Sequence, residues 1–532
     1  MNEFITLMIR PLLFIGLCLM FYVPGKHALH MYQQNRYELG RYLQWFSASL
    51  RTSFFAIIRS LILGLVLSLI ITYFEVPGQL LTLVLIYVFA FFSIQHEKHK
   101  PYIKPLKVTA RVKRQIILMV LLTLVLVYFM VVHYSLSPMP FIALMYENSI
   151  VHLILILMAV ITEPIEAFIK LFYISLAKRE LRRHHNLIKI GITGSYGKTS
   201  SKNILNEILS EEYYVLATPA SFNTPMGITI TIREQLKNLH EIFIVEMGAD
   251  KLGDINSLTK FVKPQYGVVT SIGPQHLATF KTINNIIKEK MKMIENLPPD
   301  GVGILNFDNE YIRNYQIQNT CRILTIGITS QDVDFRATDI AYTPEGSEFF
   351  IVSADGSYPF KTRLLGKHNV SNILVAVAVG RALRLSWDKL QKAVTNVNYI
   401  EHRLQLKKIN GLTFIDNAFN SNPEGSKMSL EVLKMMPGKR YIITPGMIDL
   451  GSKQKMYNTE FGKAMNGCAD VVILVGKTQT RPIYEGLKES GFDMDKVFVF
   501  SSVKEAFAYV HQHASSKDTI LLENDLPDAF SH

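Results

Sequence analysis

The sequence predicts an α-helical membrane region followed by an α/β portion with a P-loop central domain and a Rossmann-like C-terminal domain. Three observations carry this expectation. Apolar runs long enough to cross a bilayer crowd the first 180 residues. A strand, a glycine-rich turn and a helix start succeed one another around residue 191. From there to the C-terminus, short buried strands alternate with helical periodicity.

The 532-residue chain has room for about three or four domains. Hydrophobic residues make up 49% and mean hydropathy is +0.19, and nearly all of that excess lies before Lys178. The cysteines Cys18, Cys321 and Cys468 are widely separated, which excludes metal-ligand spacing and points to reduced thiols. The net charge of +12 raises the question of nucleic acid. The basic residues answer it, because many sit beside apolar runs, at His96–Lys100, Lys104, Lys107, Arg111–Arg114 and Lys178–Arg183. That placement marks cytoplasmic loops facing anionic lipid and argues against a nucleic-acid partner.

A bilayer needs about 20 apolar residues per helix. Phe4–Val23, Phe54–Phe74, Leu80–Ile94 and Gln115–Val132 answer to that, and a fifth run extends from Ile150 to Thr162. The loops Lys26–Arg51 and His96–Arg114 are basic, whereas the turn at 75–78 and the loop His133–Asn148 hold no Lys or Arg. Five spans with the N-terminus outside satisfy these loops, giving a multi-pass cell-membrane protein whose C-terminal portion is cytoplasmic. After Thr162, Glu163, Glu166 and Lys170 recur at helical spacing opposite an apolar face, so an interfacial helix is expected there.

The turn is Thr193-Gly194-Ser195-Tyr196-Gly197-Lys198-Thr199-Ser200, fed by the apolar run Leu187–Ile190. Glycines let backbone N–H groups close around phosphate oxygens, a helix N-terminus adds its dipole, and Lys198 supplies a mobile charge. Thr199 is placed to offer Mg²⁺ a hydroxyl. The generic P-loop pattern fails by one position, since the first glycine stands at 191 and residue 192 is Ile. Further strands are expected at 241–246, 266–272 and 302–306, with helices at 199–209 and 282–296. Shorter alternating strands between Arg322 and Arg363 read as an antiparallel flank. A second βα series follows Glu401, with strands at 412–416, 440–444, 471–475, 497–500 and 519–522, so two open sheets facing a shared cleft are expected. Glu246 ends one strand, where a carboxylate can face phosphates and hold Mg²⁺, and His276 follows the next.

These motifs recur in order in a known family. The turn, Val245–Ala249, Ile272–Leu277, Gly366–Asn372 and Glu401–Leu404 resemble the Mur ligase superfamily, which also includes folylpolyglutamate, cyanophycin and poly-γ-glutamate synthetases. Within it, Ser221–Gly227, Ile415–Pro423 and Pro445–Gly451 look most like the MurF branch, which adds D-Ala-D-Ala. The resemblance covers roughly Leu187 to His532 and implies a membrane region at 1–180, a central ATP-binding domain at 187–397 and a C-terminal domain at 398–532.

The resemblance implies an ATP-dependent carboxylate–amine ligase that acts through an acyl phosphate on a cell-wall or envelope peptide precursor. Its partners would be a nucleotide- or lipid-linked carboxylate and an amino acid or dipeptide. A poly-γ-glutamate-type synthetase and a transport-coupled P-loop ATPase stay open as alternatives. By the same likeness, residues Thr193 to Ser200 would hold ATP, Asn306 and Asn309 would lie on the adenine side, and Asn369 and Asn372 would face nucleotide or substrate. Arg403 would reach phosphate from the last domain once the cleft closes, and Asp416 would join the nucleotide set. Lys198, His276, Lys290 and Arg403 would be catalytic. Thr199, Glu246, His276 and a carbamylated Lys290 would hold two Mg²⁺.

Three departures stand out. Membrane spans replace the branch's UDP-gripping N-terminal domain, which opens the way to a lipid-linked acceptor. The family's paired acids read Asp416-Asn417. The basic C-terminal substrate segment is replaced by Leu521-Leu522-Glu523-Asn524-Asp525-Leu526-Pro527.

Overall fold

The computed structural model describes residues 2–52, 54–74, 76–99, 105–133, 151–275, 277–343, 346–399, 402–418, 423–448, 450 and 453–524. The expected loop His133–Asn148 thus lies almost wholly outside the described residues, as do His276, Glu401, residues 419–422 of the Ile415–Pro423 motif, Asp449 and Gly451 of the Pro445–Gly451 motif, and residues 525–532. The chain divides into two units, Met1–Phe172 and Tyr173–His532.

The first unit is helical: α1 (Asn2–Met20), α2 (Tyr22–Gln34), α3 (Leu39–Thr52), α4 (Phe54–Phe74), α5 (Val76–His99), α6 (Ala110–His133) and the start of α7 (Val151–Arg183). Among the described residues, four helical stretches are long and apolar enough to cross a membrane: Met8–Gln34, Gln79–Lys98, Ala110–Val132 and Val151–Arg183. The expected span at 54–74 is one 21-residue helix, of which Gly64–Phe74 is an apolar stretch. Leu13, Leu17, Val127, Leu155 and Met158 form the buried seam, while Leu69, Val125 and Phe168 face outward. Apolar side chains on the outside are what a lipid solvent permits.

The interfacial segment expected after Thr162 continues directly from the fifth span as one helix. α7 runs through Pro164 without interruption for 33 residues, roughly 50 Å at 1.5 Å per residue. One proline removes one N–H, which neighbouring groups in a membrane helix can absorb. Glu166 on this helix is also spoken for: Arg114 of α6 donates Nε and Nη2 to its two oxygens, each at 2.8 Å.

The second unit holds two sheets. The larger has the order β2-β3-β1-β4-β5-β6-β7-β8-β9, with β1 at Ile188–Thr193, β2 at Val215–Ala217, β3 at Ile242–Glu246, β4 at Tyr266–Val269, β5 at Val302–Asn306 and β6 at Arg322–Gly327. These six and β7 (Phe335–Thr343) pair in parallel. The antiparallel flank expected from Arg322 to Arg363 is narrower than that: β6 continues the parallel sheet, and only β8 (Gly346–Ser353) and β9 (Gly356–Thr362), with β7, pair antiparallel. Ile, Val and Phe fill β1 and β3 because both faces are covered by helices.

The helices that matter for the site are α8 (Lys198–Ser210), α9 (Pro225–Gln235), α10 (Asp254–Val262), α11 (Ile283–Glu295) and α12 (Lys367–Ala382). α8 buries Ile204, Leu205, Ile208 and Leu209, an amphipathic face laid on the sheet. Thr282 caps α11 by accepting the Asn285 N–H. Ala177 and Leu181, from the last turns of α7, share a core with Leu216 and Ile228.

The smaller sheet has the order β10-β11-β15-β12-β13-β14. Its strands are β10 (Gln405–Ile409), β11 (Leu412–Asn417), β12 (Arg440–Thr444), β13 (Val471–Val475), β14 (Val497–Phe500) and β15 (Thr519–Glu523). Among the described residues, only its β10–β11 pair is antiparallel. The register sets Asn417 opposite Glu523.

Candidate active site

β1 lies between β3 and β4, with Ile192 opposite Glu246 and Thr193 opposite Val269. The turn leaving β1 is therefore flanked by Glu246 on one side and Thr270-Ser271 on the other. The strand order reverses direction here, the place where open α/β sheets form their ligand crevice.

The turn closes because two positions tolerate what a side chain would not. Gly194 has φ +156°, and a Cβ there would collide with Thr270 Oγ1. Gly197 has φ +81° and precedes α8. Gly191, the displaced glycine of the pattern, does a different job inside β1, where a Cβ would come within 2.8 Å of Met293 Sδ. It admits α11 close to the sheet.

Several expected phosphate contacts are instead the turn's own scaffold. Thr193 Oγ1 donates to Met247 O at 2.9 Å. Ser195 N–H is taken by Ser271 O, and its hydroxyl donates to Gly273 O at 3.0 Å while accepting the Gly273 N–H at 2.9 Å. Tyr196 N–H goes to Ser271 Oγ. This directs the anion site toward the start of α8, where Lys198, Thr199 and Ser200 follow Gly197 and the first-turn N–H groups lack intrahelical partners.

Lys198 Nζ donates back to Gly194 O at 2.6 Å and Ser195 O at 3.1 Å. Lys290, on α11 and 2% exposed, donates to the same Gly194 oxygen at 2.9 Å. Burial, with the Lys198 charge beside it, lowers the Lys290 pKa to about 7. Burial lowers that of Lys198 too, against the pull of Glu246.

Glu246 is 1% exposed at the end of β3. Asn223 Nδ2 donates to its Oε1 at 3.1 Å. Lys202, one turn beyond Lys198 and equally buried, stands 3.3 Å from Oε2 and donates to Ala220 O at 2.6 Å. Lys202 and Asn223 were not singled out from sequence. Their signal lay in the spacing Lys198 to Lys202, which places both ammoniums on one helix face.

The remaining expected residues divide. Asn372 accepts from Ser201 Oγ at 2.7 Å and lies against Gly197, so it does line the turn. Asn369 donates to Leu365 O, just ahead of its own helix. Asn306 and Asn309 donate to Thr270 O and Ile272 O, fixing the strand ends beside the turn. Asp416 does not face the turn as a free acid: it holds His402 Nδ1 at 2.9 Å and Lys407 Nζ at 2.5 Å. Burial alone would raise its pKa, but these two partners and the Ala418 N–H hold it low.

Arg403 reaches the first turn of α8 in the structure as it stands, with Nη1 donating to Ser200 Oγ at 3.1 Å. His402 and Leu404 on either side have φ +59° and +48°, strained values for non-glycine residues that cluster where a side chain must be aimed. Beside it His368 is half-buried, and desolvation with the Arg403 charge pushes its pKa down to about 4.

Glu246 Oε2 is buried and has only the Lys202 ammonium, 3.3 Å away and out of line for a well-formed hydrogen bond, beside it, and a carboxylate oxygen so placed near the helix that carries Thr199 fits a hard cation. Among the described residues no three His, Cys, Asp or Glu side chains converge. A cation here therefore draws on hydroxyl and phosphate oxygens as well.

A glycine-rich turn opening a helix in one sheet, met by an arginine carried beside a second, suits an ATP-dependent ligase. Comparison with known proteins agrees. Family models described as Mur ligase middle domain and as Mur ligase, glutamate ligase domain match residues 192–380 and 402–523. The UDP-N-acetylmuramoyl-tripeptide–D-alanyl-D-alanine ligase of Bacillus subtilis is 29% identical, over 63% of this chain and 72% of its own length. The enzyme of that name in Escherichia coli is 28% identical, over 54% of this chain and 64% of its own length. Among solved structures, MurF ligase from Thermotoga maritima in complex with ADP superposes with TM-score 0.60 at 23% identity, covering 67% of this chain and 80% of that one. A MurF structure from Acinetobacter baumannii gives 0.61 at 24% identity, covering 68% and 78%. The chain belongs to the Mur ligases, ATP-dependent and ADP-forming, and is MurF-like within them.

Proposed function

We propose that this ligase joins a nucleotide- or lipid-linked carboxylate to an amino acid or dipeptide on a cell-wall precursor, at the cytoplasmic face of a membrane that its N-terminal helices cross several times. The observation that carries the chemistry is the convergence of Lys198, Lys290 and Arg403 on the turn beside Glu246. That set suits a triphosphate, whose charge the cations offset. Lys198 exchanges its bonds to Gly194 O and Ser195 O for the γ-phosphoryl group, and Arg403 steadies the same oxygens from the second sheet. The substrate carboxylate takes the phosphoryl group to give an acyl phosphate and ADP. The amine then attacks the carbonyl carbon, and the tetrahedral intermediate expels phosphate to leave the amide. The covering sheet limits hydrolysis of the acyl phosphate.

When bound, Mg²⁺ held by Thr199 and Glu246, with a second ion at His276 and a carbamylated Lys290, would offset charge on the transferring phosphate. Carbamylation needs a neutral amine to attack CO₂, and a buried lysine poised near pH 7 supplies one. It would also turn two neighbouring cations into an ion pair.

The test is amine-dependent ADP release by the purified full-length protein, offered UDP-linked and lipid-linked acyl acceptors. ATP turnover that ignores the amine would count against ligation. Lys198→Ala is expected to lose at least ~10²-fold in rate, the scale of a lost electrostatic partner for developing charge. Wild-type amide formation by that variant would remove the phosphate assignment.

A further inference from the structure

Lys202 takes no part in the chemistry above, yet it is among the most deeply buried side chains of the protein. Its ammonium stands 3.3 Å from Glu246 Oε2 and donates to Ala220 O. Ala220 has φ +42° and opens the segment whose Asn223 donates to Glu246 Oε1. One short segment therefore holds both the cation and the carboxylate. Lys198, Lys202 and Arg403 all act on Glu246 electrostatically, and Asp250 adds one further carboxylate nearby. A divalent ion entering before any nucleotide meets an excess of positive charge and a carboxylate already paired. Polyphosphate reverses that balance. Lys202 can then release Glu246, because Ala220 O still accepts one of its protons.

We propose that Lys202 is a positioning residue: it occupies Glu246 as a resident cation and makes divalent-metal loading conditional on the nucleotide. The proposal rests on Glu246 being the metal carboxylate.

The experiment titrates Mn²⁺ into the full-length protein, with and without ADP, and follows free Mn²⁺ by electron paramagnetic resonance. The wild type is expected to bind Mn²⁺ much more tightly with ADP than without. Lys202→Gln and Lys202→Met should bind nucleotide-free Mn²⁺ at least about tenfold more tightly than the wild type, with little change when ADP is present. Lys202→Arg should keep the wild-type pattern. Thermal unfolding runs in parallel, and Mn²⁺ should raise the midpoint of both neutral variants more than that of the wild type. Unchanged or weaker nucleotide-free binding in both neutral variants overturns the proposal. So does their failure to fold even with Mn²⁺, since the metal should replace the missing charge. Glu246→Gln separates the two layers. If it keeps wild-type Mn²⁺ affinity, the metal assignment fails; if it loses affinity while the neutral Lys202 variants do not gain it, only the Lys202 role fails.

Discussion

Lys198 and Lys290 place two ammonium groups on the one carbonyl oxygen of Gly194. That crowding has a cost in stability with a definite pH dependence. The folded-state pKa of Lys290 falls to about 7, below its ordinary value. Above about 7 the unfolded chain binds a proton that the folded chain does not, so stability rises with pH until the unfolded lysine also titrates. Lys290→Met in bicarbonate-free buffer should therefore unfold at a higher temperature than the wild type at pH 6, with the gap shrinking toward pH 9. A gap that widens with pH would contradict the burial. At this scale Lys198, Thr199 and Glu246 were legible because glycines and a strand end announce them. Lys202 was not, since a lysine on a helix ordinarily reads as a solvated one. Thr193, Ser195, Asn306 and Asn309 were legible as neighbours of the site, but their polar atoms are used on backbone groups that a one-dimensional pattern cannot show.

The segment carrying Arg403 is held from the end of β11. Asp416 grips His402, and Asn417 Oδ1 accepts the Leu404 N–H at 3.3 Å. Asn417 Nδ2 in turn donates to Glu523 Oε2 at 2.8 Å, and Glu523 is wholly buried on β15. The amide at 417 is thus not a lost acid but the donor that a buried carboxylate across the strand pair requires. Asn417→Asp sets two carboxylates against each other and should cost about 1–3 kcal/mol. Adding Glu523→Gln reverses the donor and acceptor and should recover most of that loss in urea unfolding. No recovery would mean the pair acts separately. Strand positions were readable here from apolar runs bounded by turns. The three-residue β2 and the continuity of α7 through Pro164 were not, because the first is too short for periodicity and the second depends on tertiary support.

Membrane topology is a property of the whole chain, and it turns on parity. Four crossings put both ends on one side; five put them on opposite sides. α4 is helical from Phe54 to Phe74 and apolar but for Arg59, two serines and a threonine, and the basic loops that flank the lysine- and arginine-free turn at 75–78 favour its crossing. Single cysteines at Asn2 and Ser516, in a chain with Cys18, Cys321 and Cys468 replaced, decide it. An impermeant maleimide applied to intact cells should label the Asn2 position and spare Ser516. Labelling of Ser516 would place the ligase portion outside and remove its access to ATP; sparing of both would make α4 a non-crossing helix. The two-part architecture was legible from hydropathy alone. How many helices cross was not, since length and composition state only what a helix is able to do.

The Asn417–Glu523 hydrogen bond also makes a statement about inheritance. A change at either position alone passes through a repelling or unsatisfied intermediate, so the two should be inherited as a pair. Natural sequences with an acid at 417 should lack one at 523, and those with an amide at 417 should carry one. A scan that scores the acid pair in isolation would discard such chains as defective, although the carboxylate has only moved to the neighbouring strand.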